Sequence, residues 1–366
     1  MDGFCSEITC MKIAVIVPSL RELAPVQVAK TVAIQLAAAG HAVTIYYFKA
    51  TSGMWQAEGI RVEKINFFTS MDWDGYDIIH SHGFLPDTFV SIRKPRHRRA
   101  KSVSTIHNYV FPELELLYNR VVSGTIGWIW VMMWKRLDHV VVLTDDAMQY
   151  YRKLLPQMSM SRIYNGKRIV QDPGVILPQH RLLADDIRKN YTYCIGSIAA
   201  LISRKRIDII IRHLSRVQTG GLMILGEGPH RIRLEELVAK HHLQDRVKFL
   251  GYMSQAYAYN ELFDISAHPS ISEGFSLSLI EAAGYQKKIV CADIPSFREA
   301  FTADEVTFFD SDNEESIDQA ILEAWRDNEK PKKAYQKAIS SYSEERMGEE
   351  YEGLFERLVL PSPPTP

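Results

Sequence analysis

The sequence has few cysteines, no excess of charge and no long hydrophobic run. Its four cysteines, Cys5, Cys10, Cys194 and Cys291, show neither a metal-binding nor a disulfide-framework spacing, which favours a reducing compartment. The net charge of −1 excludes the strong positive field that is typical of nucleic-acid-binding proteins, so no nucleic-acid partner is expected. The longest uncharged run, residues 121–134, is shorter than the roughly 20 apolar residues that cross a bilayer. These absences predict a cytoplasmic protein.

What the chain does contain is enough apolar sequence for more than one core. Hydrophobic residues make up 46% of the 366 residues and charged residues 24%, which is typical of globular proteins. A chain of this length exceeds an ordinary single core, so we expect two domains. The segment 1–10 lacks the apolar core of a signal peptide, and we interpret it as a disordered leader or the product of an upstream start codon. Residues 361–366, rich in proline, are expected to be a disordered tail.

Short β-branched segments alternate with amphipathic helical segments throughout the chain. The predicted strands are "MKIAVIVP", "HAVTIYYF", "YDIIHSHG", "KSVSTIH" and "DHVVVLT" in the first half and "YTYCIGSI", "GLMILGEG", "RVKFLGY", "DISAHPS" and "KKIVCAD" in the second. Nearly continuous apolar strands between helices indicate parallel sheets with both faces covered. The fold class is therefore α/β, with one doubly wound sheet in each half.

The domain boundaries follow from the same pattern. We place the first domain at residues 11–170 and the second at residues 171–345, because proline and glycine gather in "QDPGVILPQ" between them. A final helix at residues 346–360 is expected to cross back to the first domain.

Two carboxylates flank a glycine turn in "SISEGFSLSLIEAAG". Gly274 permits the turn, and either Ser276 or Ser278 can begin the helix that follows. The N–H groups of its first turn would form an anion site, and Glu273, just before the helix, would reach hydroxyl groups attached to that anion. Glu281 lies inside the helix. It either faces the same site or completes a capping box with Ser278, and the spacing alone does not decide between these roles.

Two further loops follow predicted strands, where open parallel sheets bind their ligands. Arg204 and Lys205 lie in the loop after "YTYCIGSI", and their charges could neutralise a diphosphate leaving group. The alternative is a solvated basic loop. Gly226 and Gly228 follow "GLMIL", where backbone N–H groups could approach a phosphate or a base. The alternative there is an ordinary tight turn, because Arg231 replaces the last glycine of the dinucleotide fingerprint.

Histidines end two of the predicted strands in the first half: His80 and His82 in "YDIIHSHG", and His107 in "VSTIH". The His-x-His spacing puts both rings on one face of a strand and could bind a metal. The sequence offers no evident third ligand. Histidines with satisfied hydrogen bonds at the edge of a cleft are therefore the preferred interpretation, and no metal site is assigned.

Taken together, these segments resemble retaining glycosyltransferase family 4, whose members have the GT-B architecture of two Rossmann-like domains facing each other across a cleft. The resemblance runs over nearly the whole chain, from "MKIAVIVPSL" to "EEYEGLFERLV". Its most specific element is the Glu-x7-Glu motif, Glu273 to Glu281, in "HPSISEGFSLSLIEAAGYQKKIVCAD". The supporting motifs, which occur in family order, are "DIIHSHG", "TIH", "IYNG", the Lys205-x-x-Asp208 loop and "GEGP" followed by "RVKFLGY".

The resemblance implies a role for each matching residue. The catalytic residues would be Glu273, which contacts hydroxyls of the donor sugar, Lys205, which binds the diphosphate, and His107, which approaches the sugar from the other domain. Glu281 would hold the ribose hydroxyls of the nucleotide. The implied donor site comprises Ser197, Arg204, Lys205, Gly228, Tyr252, Glu273, Gly274, Phe275, Ser276, Leu277 and Glu281. The acceptor hydroxyl would attack from the front face as the nucleotide leaves, and no cofactor or divalent metal is required.

Two positions depart from the family pattern. Leu23 and Ala24 occupy about the place of a Gly-Gly turn that packs against the donor phosphates. Ser197 follows Gly196, where members often have arginine, and Arg204 could supply the missing cation.

The implied function is transfer of a hexose from a sugar nucleotide, a UDP-sugar in preference to a GDP-sugar, to a lipid-linked glycan acceptor. The setting would be bacterial surface polysaccharide or lipopolysaccharide biosynthesis. One alternative is a catalytically silent paralogue that binds a sugar nucleotide or a partner transferase. The other is a GT-B sugar-nucleotide epimerase.

Two segments of the first domain suggest contact with an anionic membrane. The segment "SIRKPRHRRAK" contains six cations, Arg93, Lys94, Arg96, Arg98, Arg99 and Lys101. Downstream, "GWIWVMMWKR" offers Trp128, Trp130 and Trp134, a composition that suits the bilayer interface. Basic residues near an anionic surface contribute on the order of 1 kcal/mol each. We therefore predict peripheral binding to the inner face of the cytoplasmic membrane; the alternatives are a solvated loop and a buried helix.

Overall fold

The computed structural model describes residues 10–21, 23–50, 55–169 and 175–360. The chain divides into two compact units: unit 1 is Met1–Gly166 with Glu344–Pro366, and unit 2 is Lys167–Ser343. The predicted leader, apart from Cys10, and the predicted tail lie outside the described residues, as does all of "QDPG" in the expected linker.

Unit 1 contains a parallel sheet with seven strands in the described part of the chain. They are β1 (Lys12–Ser19), β2 (Ala42–Lys49), β3 (Ile60–Lys64), β4 (Ile78–His82), β5 (Lys101–Ile106), β6 (His139–Val142) and β7 (Met160–Arg162). Their order across the sheet is β3-β2-β1-β4-β5-β6-β7. The strand order therefore reverses at β1, where Ile13 pairs with Val43 on one side and with Ile78 on the other. Such reversal points are where open α/β sheets bind ligands.

Helices cover this sheet because its strands are apolar on both faces. Residues 13–17 of β1 are fully buried. The helices of unit 1 are α1 (Ala24–Ala38), α2 (Phe84–Arg93), α3 (Val110–Leu117), α4 (Arg120–Trp134), α5 (Asp145–Leu154) and the last helix of the chain, Glu344–Val359. That last helix packs into unit 1 through Tyr351, which is fully buried, and through Glu352, whose Oε1 lies 3.0 Å from His41 Nε2.

Unit 2 contains a second parallel sheet, with six strands in the described residues. Its strands are β8 (Tyr193–Ile198), β9 (Gly220–Leu225), β10 (Val247–Gly251), β11 (Ile265–His268), β12 (Lys288–Ala292) and β13 (Thr307–Phe309). The order is β10-β9-β8-β11-β12-β13, so this order reverses at β8. The helices of unit 2 are α6 (Pro178–Asn190), α7 (Ile207–Arg216), α8 (Arg231–Lys240), α9 (Leu277–Gly284), α10 (Pro295–Ala300), α11 (Glu314–Arg326) and α12 (Lys330–Ser341). The last helix of unit 1 is α13 (Glu344–Val359).

The predicted fold class, α/β with two doubly wound parallel sheets, is confirmed. All ten predicted strands are present. Three short strands that the sequence pattern does not predict, β3, β7 and β13, lie at sheet edges. Among the described residues, no helix has the length and apolar content needed to cross a membrane.

Candidate active site

The candidate site of unit 2 lies at the carboxyl ends of β8 and β11, which pair directly. Gly196 on β8 makes close packing possible, because a Cβ at this position would lie 1.9 Å from the ring of Phe263. The next residue, Ser197, is buried, and its Oγ donates to the carbonyl oxygen of Ala267 on β11 at 3.1 Å. Ser197, a predicted ligand, thus also links the two strands at the point where the strand order reverses.

A short 3-10 helix, Ser203–Lys205, carries the two cations of the loop after β8. Arg206 follows in a left-handed conformation, with φ 47°, and turns the chain into α7. The amide of Ile271, in the loop after β11, donates to the carbonyl oxygen of Arg204 at 3.0 Å. This bond joins the two loops, so the side chains of Arg204 and Lys205 reach the acidic residue of the second loop.

That acidic residue is Glu273, and both cations bind it. Arg204 Nη1 donates to Glu273 Oε2 at 3.0 Å and to the carbonyl oxygen of Ser272 at 2.6 Å, and Lys205 Nζ donates to Glu273 Oε1. The Glu273 side chain is 8% exposed. Burial by itself would raise the pKa of this carboxyl group, but Lys205 and Arg204 outweigh burial and lower the pKa to about 2. Glu273 is therefore a carboxylate at neutral pH, and its immediate surroundings carry one excess positive charge.

A pocket of about 210 Å³, part of it open to solvent, lies beside this cluster. Its lining includes Ser197, Lys205, His268, Glu273, Ser276 and Ser278. The Lys205 side chain is 16% exposed and the Arg204 side chain 8%. Lys205 is therefore the cation that faces the pocket, while Arg204, which is not part of the lining, supports the carboxylate from behind. Burial, together with the charge of Lys205, lowers the pKa of His268 to about 3, so this ring is neutral.

Helix α9 begins beside the pocket. Its N-cap is Ser276, and in the described structure no side chain caps its first turn. The first N–H groups of the helix are therefore available to a ligand. Phe275, a predicted donor-site residue, packs its ring against Tyr342 at 5.2 Å between ring centroids. Within the predicted stretch from Gly274 to Leu277, the backbone rather than the Phe275 side chain can contact a ligand.

The capping-box interpretation of Glu281 is wrong. Ser278 lies inside the first turn of α9 and is not the N-cap; its Oγ is 3.2 Å from the Oγ of Ser276. The Glu281 carboxylate is instead 3.1 Å from Lys167 Nζ, and burial raises the pKa of Glu281. Lys167 is a candidate site residue that the sequence analysis missed. The signal for it is a cation directly after the "IYNG" motif.

The glycines after β9 allow two loops to approach closely. Gly226 has φ 136°, and a Cβ on it would lie 1.9 Å from the carbonyl oxygen of Ala199. A Cβ on Gly228 would lie 2.5 Å from the carbonyl oxygen of Leu201. These contacts favour the tight-turn alternative. Neither Gly228 nor Tyr252, which is exposed, lines the pocket described above.

In unit 1, three histidines lie together at the carboxyl ends of β4 and β5. His82 Nδ1 is 2.9 Å from His107 Nε2, and His80 Nε2 is 2.8 Å from Thr105 Oγ1. The Thr105 hydroxyl in turn lies 2.8 Å from the hydroxyl of Tyr351. Burial lowers the pKa of His80 and His107 to about 3, and it lowers the pKa of His82 well below its ordinary value. All three rings are neutral at pH 7. The prediction of fully satisfied histidines is wrong for two of them, because His80 Nδ1 and His82 Nε2 are buried without a hydrogen-bond partner in the described structure. The described residues contain no group of three or more His, Cys, Asp or Glu side chains placed to hold a metal ion.

The predicted membrane-surface cations are partly neutralised. Lys94 is buried and lies 3.3 Å from Asp138, Arg98 pairs with Asp74, and Arg99 lies 3.5 Å from Asp77. Arg96 is exposed, Arg93 donates to a backbone carbonyl, and Lys101 is half-buried. Three of the six cations therefore have an acidic partner, and membrane binding by this segment stays a prediction.

The tryptophan prediction is also wrong for two of its three residues. Trp134 is 1% exposed, and its Nε1 donates to Asp87 Oδ2 at 2.9 Å. Trp130 Nε1 donates to the same oxygen at 2.8 Å. Trp134 belongs to the core of unit 1 and Trp130 packs against that core, so of the three only Trp128 is exposed, at 54%.

The fold is two doubly wound parallel sheets, and the candidate site is a positively charged pocket at the reversal of strand order in the second sheet. Two family models match the chain. Glycosyltransferase Family 4 matches residues 26–170, and Glycosyl transferases group 1 matches residues 185–341. The chain belongs to the family 4 glycosyltransferases, a retaining family with the GT-B fold.

Individual relatives agree with this assignment. The chain is 27% identical to the O-antigen biosynthesis glycosyltransferase WclY of Escherichia coli over 362 residues, which covers 95% of this chain and 99% of the relative. It is 34% identical, over 38% of this chain and 39% of the relative, to an N-acetylgalactosamine-N,N'-diacetylbacillosaminyl-diphospho-undecaprenol 4-alpha-N-acetylgalactosaminyltransferase of Campylobacter jejuni. Among solved structures it is similar to HepE of Anabaena in complex with UDP-glucose, with a TM-score of 0.77, 16% identity, and coverage of 95% of this chain and 100% of that one.

Proposed function

We propose that the protein transfers a hexose from a sugar nucleotide, a UDP-sugar in preference to a GDP-sugar, to a lipid-linked glycan in the biosynthesis of a bacterial surface polysaccharide or lipopolysaccharide. The observation that carries the proposal is the buried Glu273 carboxylate, held by Arg204 and Lys205 at the pocket beside α9. The WclY relative supports the O-antigen setting. The diphospho-undecaprenol named in the Campylobacter relative supports a lipid-linked acceptor, and UDP-glucose in HepE supports a UDP-sugar donor.

The positive charge of the pocket suits a nucleoside diphosphate. Lys205 faces the pocket, and the uncapped N–H groups at the start of α9 lie at its edge. Both would stabilise the negative charge that develops on the diphosphate as the bond to the sugar breaks. The acceptor hydroxyl would attack on the same face, and its proton would pass to the leaving phosphate oxygen.

Glu273 would orient the donor sugar. A carboxylate only accepts hydrogen bonds, so it would bind the hydroxyls of the sugar rather than an acceptor oxygen. Because its two oxygens are fixed by cations, the carboxylate needs no reorganisation when the sugar binds. His107 stays a predicted sugar ligand, and its Nε2 lies 2.9 Å from His82 Nδ1 within unit 1.

Glu281 would bind the ribose hydroxyls of the nucleotide. Its side chain is 13% exposed and is charge-paired with Lys167, so a nucleotide would share this carboxylate with the lysine or displace the lysine. The basic segment, residues 93–101, would hold the protein at the inner face of the cytoplasmic membrane, close to a lipid-linked acceptor.

The test is nucleotide release from a panel of UDP- and GDP-hexoses, with and without lipid-linked acceptors. We expect UDP release from one UDP-hexose that depends on the acceptor, with the anomeric configuration of the donor retained in the product by NMR. The variant Glu273→Gln should lower kcat/KM by about two orders of magnitude. Donor binding without release would favour the silent paralogue, and formation of an epimeric sugar nucleotide without acceptor would favour the epimerase.

A further inference from the structure

Helix α4 is apolar on both of its faces. Its buried face packs Gly127, Val131 and Trp134 into unit 1. Its opposite face exposes large apolar side chains that a soluble helix would normally replace with charged ones. Val121 is 78% exposed and Trp128 54% exposed. Residues 121–134 contain no charged residue at all.

The exposed apolar side chains continue onto the end of α3. Leu117 and Tyr118 are exposed where α3 leads into α4, and the ring of Phe111 packs on that of Trp128 with 5.3 Å between centroids. The two helices therefore present one surface. We call it the α3–α4 apolar face and define it by Leu117, Tyr118, Val121, Trp128, Ile129 and Met132.

Cations stand at the ends of this face and not within it. Arg120 precedes its α4 portion, and Lys135 and Arg136 follow directly after α4; all three are exposed. Arg136 Nε donates to the carbonyl oxygen of Ser91 at 2.8 Å, which places the start of the basic segment beside the end of α4. The acidic residues of these two helices, Glu113 and Glu115, both belong to α3. An apolar surface with cations at its border is complementary to an anionic lipid bilayer.

The length of α4 determines how it could meet a bilayer. A helix of 15 residues is about 22 Å long, less than the roughly 30 Å of a hydrocarbon core. It could therefore lie only in the plane of the interface, with one face buried and the other against the protein. Its buried face already packs in unit 1, which leaves the α3–α4 apolar face for the lipid.

We propose that the α3–α4 apolar face inserts into the interfacial layer of an anionic bilayer while the neighbouring cations contact lipid headgroups. This proposal identifies the surface by which the protein would bind the membrane. It rests on the proposed function in one respect, because a lipid-linked acceptor is what would make membrane binding useful. A second copy of the chain is the less suitable occupant. A two-fold interface would set this face against itself and bring the cations at its border together.

The first experiment measures partitioning of the full chain onto vesicles. The vesicles contain phosphatidylcholine alone or phosphatidylcholine with phosphatidylglycerol, and binding is followed by sedimentation. Val121→Ser and Met132→Ser should each lower the partition coefficient on anionic vesicles by about tenfold, since each removes apolar area that the bilayer would bury. Ile232→Ser is the matched control, because Ile232 is similarly exposed on α8 of unit 2, and it should bind as the wild type does.

The second experiment locates the contact. Vesicles that carry brominated acyl chains should quench tryptophan fluorescence of the wild type, and Trp128→Phe should remove that quenching while binding persists. Wild-type binding by both serine variants, or equal quenching in Trp128→Phe, would overturn the proposal. So would a dimer in size-exclusion chromatography that the serine variants abolish, with no vesicle binding. Stabilisation of the protein against heat by UDP-glucose is measured separately. A protein that binds vesicles but is not stabilised by UDP-glucose would count against the proposed function alone.

Discussion

The two cations that hold Glu273 differ in what surrounds them. Arg204 also binds the Ser272 carbonyl oxygen and lies outside the pocket, whereas Lys205 lines the pocket. Removal of either cation would leave the buried carboxylate with one fewer partner. Only Lys205, however, faces the space where a diphosphate would bind. We therefore expect Arg204 to contribute mainly to stability and Lys205 mainly to sugar transfer.

We predict that Arg204→Met lowers the free energy of unfolding by about 3 kcal/mol, because it strips a buried carboxylate of one of its charge partners. Lys205→Met should have a smaller effect on stability and should lower kcat/KM by about two orders of magnitude, through loss of charge stabilisation at the leaving diphosphate. Urea denaturation and steady-state kinetics on both variants measure this. Equal losses of kcat/KM in the two variants would contradict the assignment of Lys205 to the diphosphate.

A second prediction concerns Glu281 and Lys167. Glu281→Gln should weaken nucleotide binding by about tenfold, because a neutral amide is a poorer acceptor for ribose hydroxyls than a carboxylate. Lys167→Gln should leave nucleotide affinity unchanged or raise it, since it frees the carboxylate from competition. Isothermal titration with UDP distinguishes the two. A parallel loss of affinity in both variants would mean that the ion pair itself, and not the carboxylate, is what the nucleotide needs.

At the residue level, the sequence predicts which residues gather around Glu273 better than it predicts which side chains form ion pairs. Glu273, Lys205 and Ser197 could be predicted to meet because Ser197 ends one strand and the other two follow strands that end at the same sheet edge. The partner of Glu281 could not be predicted, because Lys167 is distant in sequence and is held by a backbone bond to Tyr342. The capping-box spacing misled for a local reason: the helix begins at Leu277, two residues ahead of the start that the motif requires.

Among the elements, the central strands were the easiest to predict and the edge strands the hardest. Nine of the ten predicted strands lie in the interior of a sheet, where both faces are covered, and β10 lies at an edge. The strand β3 is only half-buried, and β7 and β13 are three residues long, so none carries a comparable hydrophobic signal. Helix α4 shows a different limit. Because both of its faces are apolar, composition could not tell that Trp134 faces the core while Trp128 faces solvent.

At this scale we predict opposite effects for two glycine substitutions. Gly226→Ala should lower the free energy of unfolding by about 3 kcal/mol or more. The added Cβ would clash with the Ala199 carbonyl oxygen, and the backbone of residue 226 has a positive φ that alanine disfavours. Gly124→Ala in α4 has no atom within 4 Å of the added Cβ, and it should stabilise the protein by about 1 kcal/mol through helix propensity. Thermal and urea unfolding of both variants provide the measurement, and a neutral Gly226→Ala would show that this turn can rearrange.

For the whole molecule, the buried histidines predict sensitivity to acid. His80 and His107 keep a pKa of about 3 in the folded protein, whereas an unfolded histidine has a pKa of about 6.5. As the pH falls below about 6.5, these histidines become protonated in the unfolded state but stay neutral in the folded state. The free energy of unfolding therefore falls. The loss continues until the pH approaches the folded pKa.

The expected slope is about 1.4 kcal/mol per pH unit for each buried histidine between pH 6 and pH 4. The Glu273 carboxylate has its pKa lowered to about 2, so its contribution to stability is intact above about pH 4.5 and is lost only as the pH falls towards 2. It does not mask the histidines in this window. Guanidinium unfolding at several pH values from 7.5 to 5 measures the slope. A free energy of unfolding that does not change over this range would refute the burial of the histidine cluster.

The return of α13 to unit 1 has a consequence for the order in which the protein is made. Unit 2, Lys167–Ser343, is a continuous stretch of chain, whereas unit 1 is interrupted by it. On the ribosome, residues 12–166 emerge first yet lack Tyr351, which meets Thr105, and Glu352, which meets His41. The apolar surface that α13 covers must therefore stay open, and available to a chaperone, while all of unit 2 is synthesised. The half of the protein that is translated first is the half that is completed last.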